Sequence, residues 1–167
     1  MNAYCLFCRT EYAGDITAAI QASGDYRAIY PQIIQRKWVR GTATEVPHPC
    51  LPGYVFIYSD EPIADFSPLR RHLGVIRPLG QENEHYELAG EDLKFARAVY
   101  GMGGTVGIQK AYREGDGIRL ADGVFAGLTG RILWFDRRKQ RAKVEVTFDE
   151  TVYTLWVGID MIEKPDE

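Results

Sequence analysis

The chain has 167 residues, 46% of them hydrophobic, and a formal net charge of −3. That is enough for one medium or two small domains with ordinary cores, and it excludes a uniformly basic nucleic-acid coat. Three cysteines, an odd number, argue against a disulfide framework and for a reducing compartment. The amino terminus lacks the basic start and long apolar core of a signal peptide, and no apolar run reaches bilayer length. A cytoplasmic protein without a membrane partner is expected.

Residues 4–9 read as a buried apolar strand. A helix is expected over 12–22, capped by Thr10, with Ile16, Ala19 and Ile20 on one face and Gly24-Asp25 ending it. Residues 26–40 are rich in aromatic and β-branched side chains and suggest strand, whereas 41–52 holds three prolines and reads as a loop between extended pieces. A central strand over 54–59, a short helix over 66–72, a strand over 75–78 and a second helix over 91–100 follow. The glycine-dense stretch after them reads as a flexible linker. Beyond it, glycines cut short alternating strands, expected near 117–120, 131–136, 143–148 and 152–157, the pattern of a small closed β-barrel. Mixed helices and strands before the linker suggest an α+β layer.

Sites for covalent or metal chemistry are not evident. Cys5-Leu6-Phe7-Cys8 is a CxxC, but a redox pair needs a helix amino terminus to lower its thiol pKa. In a strand, positions three apart point to opposite faces, which also opposes a zinc site completed by His48 and Cys50. Buried structural thiols are expected. The few serines, Ser23, Ser59 and Ser67, sit in no nucleophile elbow, and no phosphate-binding loop or dinucleotide fingerprint occurs. Neither an enzyme, a metal site nor a cofactor is expected.

Binding features are clearer. Between Arg131 and Lys143 lie six basic residues (Arg131, Arg137, Arg138, Lys139, Arg141 and Lys143) and one acid, Asp136. Clustered Arg and Lys neutralise phosphates, and Arg also stacks on bases. The same run can equally be a polar hairpin tip. Trp134, Tyr153 and Trp156 alternate on neighbouring strands and can offer stacking faces or fill the barrel core. In the first half, Tyr4, Phe7, Tyr54 and Phe56 read either as core or as an apolar patch for a partner.

Three blocks, Ala3-Tyr4-Cys5-Leu6-Phe7-Cys8-Arg9, Leu51-Pro52-Gly53-Tyr54-Val55-Phe56-Ile57-Tyr58 and Gly74-Val75-Ile76-Arg77-Pro78-Leu79-Gly80, precede the barrel in an order that resembles the NusG family of transcription elongation factors. The stretch from Glu114-Gly115-Asp116-Gly117 to Gly127-Leu128-Thr129-Gly130 resembles that family's KOW motif. The resemblance implies an α+β amino-terminal domain, an antiparallel sheet flanked by helices, followed by a small all-β SH3-like KOW barrel. The boundaries it implies are 1–100 for the amino-terminal domain, 101–112 for the linker and 113–167 for the barrel. It implies docking on the clamp helices of RNA polymerase through Tyr4, Pro52, Gly53 and Tyr54, with Arg70 and Arg71 on the neighbouring helix end.

The family's housekeeping barrel binds the termination factor Rho or a ribosomal protein through apolar loop residues and a Phe-Gly-Arg turn. Phe125 and Phe148 match the apolar positions, but Asp149-Glu150 puts acids where that turn has glycine and arginine. The run from Asp136 to Ala142 and the ending Val157-Gly158-Ile159-Asp160-Met161-Ile162-Glu163-Lys164 look more like LoaP, the specialised antitermination branch. That likeness implies a monomer whose barrel contacts a nascent RNA hairpin through Arg131, Arg137, Arg138, Lys139, Arg141, Lys143 and Trp156, with upstream or non-template DNA open as a further partner. Two alternatives stand beside it: a housekeeping elongation factor coupling polymerase to Rho or the ribosome, and a ribosome-associated KOW protein that binds RNA.

Overall fold

The computed structural model describes residues 1–121, 125 and 131–166, with the Arg131 side chain excepted. The elements in chain order are β1 (Asn2–Cys8), α1 (Thr10–Ser23), β2 (Arg27–Ile29), β3 (Gln32–Val39), β4 (Thr42–Pro49), β5 (Tyr54–Ser59), α2 (Ser67–Arg70), β6 (Val75–Pro78), α3 (Gly90–Gly101), β7 (Thr105–Val106), β8 (Gln109–Glu114), β9 (Gly117–Leu120), β10 (Arg131–Asp136), β11 (Arg141–Phe148) and β12 (Thr151–Met161). They form two compact units: Met1–Pro31 with Leu51–Gly104, and Gln32–Cys50 with Thr105–Glu167.

The first unit is a four-stranded sheet in the order β2-β5-β1-β6, with every neighbouring pair antiparallel. Its central strands are apolar on both faces because helices cover both. Tyr4, Leu6 and Cys8 of β1 and Val55 and Ile57 of β5 pack with Ala13, Ile16 and Ile20 of α1 and with Phe66 and Leu69 around α2. Strand alternation sends Phe56 and Tyr58 to the other face. There Phe56 meets Phe95 of α3 at 5.9 Å between ring centroids, and the Tyr58 hydroxyl donates to the Ala96 carbonyl at 2.6 Å. Helix α1 stops where Gly24 turns left-handed at φ 77° and donates back to the Gln21 carbonyl. Its N-cap is Arg9 with no side-chain capping bond; Thr10, the expected cap, is already the first helical residue.

The second unit joins a hairpin to a partial barrel. Strands β3 and β4 are connected by Arg40 and Gly41 at φ 51° and 78°, the two left-handed residues of a type I′ turn. The sheet order is β4-β3-β7, with β7 parallel to β3. Five further strands run in the order β10-β11-β12-β8-β9, all antiparallel except the β12–β8 pair. Strand β11 alternates, with Ala142, Val144, Val146 and Phe148 buried. These join Ala111, Val157, Ile159 and Phe125 in the core. The molecule is thus an α+β region followed by a β half-barrel, as expected.

Two stretches differ from the sequence expectation. Residues 41–52, expected as loop, contain β4, because Pro47 and Pro49 sit on an edge strand, where a missing N–H costs no ladder bond. Residues 101–112, expected as linker, carry β7 and most of β8: glycines end at Gly107, after which buried Gln109 and Ala111 alternate with exposed or half-buried neighbours. Strand β12 also runs on to Met161, past the expected end at 157. Apart from Phe125, the glycine-cornered stretch 122–130 lies outside the described residues.

Candidate functional site

In the first unit the expected docking residues separate onto two faces of one sheet. Tyr4 pairs across the ladder with Ile57, whereas Tyr54 pairs with Phe7. Tyr4 is only 3% exposed. Its ring meets Phe66 edge-on at 5.3 Å, and its hydroxyl accepts a hydrogen bond from the Ile63 N–H at 3.0 Å. Phe66 in turn stacks on Tyr86 at 4.3 Å, and Arg70 Nη2 donates to the Tyr86 hydroxyl at 2.6 Å. Arg70 and Tyr4 therefore belong to one connected cluster. Close by, the Asp65 carboxyl is held below its ordinary pKa, chiefly by the hydrogen bond from the Ser67 N–H, with smaller contributions from Arg71 and Arg70.

On the opposite face Tyr54 packs on Phe7 at 5.0 Å, and the Arg77 guanidinium lies 6.0 Å above Phe7. Gly53 fixes the approach to this pair. At φ 89° its N–H donates to the Tyr30 hydroxyl and its carbonyl accepts the Cys8 N–H at 2.7 Å. A Cβ there would lie 2.6 Å from the Cys8 carbonyl oxygen, so glycine is required. Pro52 and Arg71 are exposed. Sequence reasoning missed Leu73 and Ile76, exposed by 75% and 53% beside the edge strand β6. Their signal was present: two large apolar residues flank Gly74-Val75 at the rim of a sheet whose other apolar residues are covered.

In the second unit Arg141, Lys143 and Trp156 come together on the outer face of β11 and β12. Lys143 pairs directly with Trp156. The Arg141 guanidinium sits 4.1 Å over the Trp156 ring and the Lys143 ammonium 5.8 Å from it, within cation–π range. Trp134 pairs with Lys143 from the other side and is 63% exposed, so a Trp–Lys–Trp row crosses three strands. Trp134 and Trp156 thus lie on the outer surface rather than in the core. Arg137, Arg138 and Lys139 are exposed in the loop joining β10 to β11. That loop is held through its backbone: the Lys139 N–H donates to Asp136 Oδ1 at 3.0 Å, and the Gln140 carbonyl accepts the Ile159 N–H at 2.9 Å. Arg131 occupies the first position of β10, opposite Glu145; its side chain lies outside the described residues.

The thiols are inert by environment. Cys5, Cys8 and Cys50 are all buried and outside any disulfide, and burial pushes Cys8 and Cys50 from 9.0 up to about 12. Among the described residues no group of three or more His, Cys, Asp or Glu could hold a metal ion, and no helix is long and apolar enough to cross a membrane.

Comparison with known proteins adds three findings. A family model described as "Transcription termination factor nusG" matches residues 1–97. The "Transcription termination/antitermination protein NusG" of Thermus thermophilus is 30% identical over 104 residues, covering 58% of this chain. The chain spans 56% of the length of that curated relative. A solved structure, "Domain interaction in Thermotoga maritima NusG", aligns with 94% of this chain and 93% of its own at a TM-score of 0.55 and 16% identity, a likeness of fold.

Proposed function

The chain belongs to the NusG family, and from that premise we propose that it is a transcription elongation regulator of the LoaP type, which docks on RNA polymerase and promotes processive antitermination. The family consists of transcription factors rather than enzymes, so the mechanism has no covalent step. The amino-terminal domain, residues 1–100, bridges the polymerase clamp helices and favours its closed state. Such a factor shifts the equilibrium only by its difference in affinity for the two states. Exposed Pro52, set in place by Gly53 and Tyr54 beneath it, forms one contact, and exposed Arg70 and Arg71 a second, with buried Tyr4 supporting that cluster through Phe66. The barrel, residues 113–167, takes a hairpin of the nascent RNA. Both contacts share one chain, so the second is intramolecular and two modest affinities reinforce each other.

The observation that carries the RNA reading is the outer face of β11 and β12: Trp156 lies under Arg141 and beside Lys143, next to the exposed Arg137-Arg138-Lys139 loop. Aromatic rings flanked by cations bind unpaired bases and phosphates together. The alternative is a general elongation factor coupling polymerase to Rho or the ribosome; the names of the relatives, a termination factor and a termination/antitermination protein, are compatible with a general role. Against it stand Asp149 and Glu150, which give the β11–β12 turn two acids.

The test is a terminator read-through assay in purified transcription, run beside RNA binding. Arg137→Glu with Arg138→Glu is expected to abolish RNA binding and leave polymerase binding intact. Pro52→Glu, at an exposed site, is expected to do the reverse. Read-through that survives in both variants would overturn the proposal, and tight capture of Rho by the intact protein would move it to the general factor.

A further inference from the structure

The hairpin β3–β4 is distant in sequence from the barrel loop, yet the two are bound together in the second unit. Trp38 Nε1 donates to the Lys139 carbonyl at 3.2 Å. Two residues back along β3, Arg36 Nη1 donates to the Ile159 carbonyl at 2.9 Å and Nη2 to Asp160 Oδ1 at 2.6 Å, while Gln35 Nε2 donates to the Trp156 carbonyl at 3.1 Å. These three side chains, Gln35, Arg36 and Trp38, all end on the segment carrying Trp156 or on the basic loop. The Trp38 indole remains 40% exposed although its N–H is engaged. Lys37 and Arg40 of the hairpin are exposed, Lys37 on the strand face opposite Trp38, and so are Arg137, Arg138 and Lys139 of the loop that Trp38 holds. Of the nearby carboxylates, Asp160 is engaged by Arg36 and Asp136 by the Lys139 N–H and, at 3.8 Å, by Arg141, while Glu45, opposite Arg36 on β4, is exposed.

From this arrangement we infer that the hairpin β3–β4 is half of a composite RNA-binding surface, with Trp38 stacking on an unpaired base and Lys37 and Arg40 neutralising phosphates on the strand that the barrel loop holds. The inference rests on the RNA reading above and extends it to a segment outside the barrel. An exposed indole bonded to the backbone of a loop that carries three exposed cations, on a chain of net charge −3, selects a polyanion that also offers aromatic faces, which is single-stranded or loop RNA. The bond from Trp38 to Lys139 gives the ring a second task, holding the backbone of the basic loop while its side chains stay free.

The experiment measures anisotropy of a fluorescein-labelled RNA stem-loop with an eight-nucleotide loop, titrated with the full-length protein across a salt series. Lys37→Ser with Arg40→Asn keeps the left-handed turn tolerable, since asparagine accepts positive φ. It is expected to weaken binding at least about fivefold and to flatten the salt slope by about 1 to 2. Trp38→Ala is expected to weaken binding more than Trp38→Phe, which keeps a stacking ring and loses only the N–H. RNA-induced quenching of tryptophan fluorescence should fall in Trp38→Phe. Hairpin variants that bind like the unaltered protein, while Arg137→Glu with Arg138→Glu fails, would overturn this inference and leave the barrel reading standing. No loss in either set would overturn both.

Discussion

The sheet of the first unit and the β11–β12 face of the second solve opposite problems. Strand β5 is buried along nearly its whole length because helices cover both its faces; β11 alternates strictly and buries one face only. In the first case the exposed apolar residues lie at the sheet's rim, at Pro52, Leu73 and Ile76. In the second it can occupy the open face itself, and there Arg141, Lys143 and the two tryptophans stand. Tyr4 illustrates the difference: an aromatic residue on a doubly covered strand becomes core, whereas Trp134 on a half-covered one stays exposed.

Mutations can break this contrast. The largest effect is expected for Phe56→Ala, which empties a fully buried site against Phe95 and should cost about 3–5 kcal/mol in denaturant unfolding. Arg36→Ala removes two hydrogen bonds from a side chain only 13% exposed and should cost about 1.5–3 kcal/mol. Glu150→Gly relieves a left-handed strain of about 1–2 kcal/mol, since Glu150 sits at φ 58° in the β11–β12 turn, and adds about 0.4–1 kcal/mol of unfolded-state entropy, so a net stabilisation is expected; a lower melting temperature would contradict that geometry. Lys143→Ala should change stability by no more than about 0.5 kcal/mol, while the salt slope of RNA binding drops by about 0.7–0.9.

The thiols sharpen the same contrast from the side of burial. At pH 8 the native protein should react with a thiol reagent negligibly, and all three cysteines should react in denaturant. Cys8 and Cys50 are raised on folding, so their contribution is full below the ordinary value of 9.0 and is lost as pH climbs from there toward about 12. A chemical melt repeated at pH 8 and pH 11 reads that loss.

Much of this was legible in the chain. The apolar run of β5, the helix stopped by Gly24 and the alternation from Arg141 to Phe148 are local patterns, and local patterns set element type. The basic loop was legible too, since Asp136-Arg137-Arg138-Lys139 needs only proximity in sequence. Strand β4 was not, because two prolines mask an edge strand whose pairing depends on β3. Nor was the separation of Tyr4 from Tyr54, which follows from ladder register.

The sequence by itself determined which residues are apolar, which segment is basic and that a glycine ends the first helix, since these depend on side chains and their immediate neighbours, whereas the left-handed turns at Arg40, Gln140, Asp149 and Glu150 emerged only in the structure. Only the tertiary structure decided that Trp156 lies under Arg141, that Tyr4 is covered by Phe66, and that Trp38 reaches Lys139. Each of those joins residues fifteen to about a hundred positions apart, and contacts at that range are fixed by strand order and packing, which single-chain periodicity does not encode.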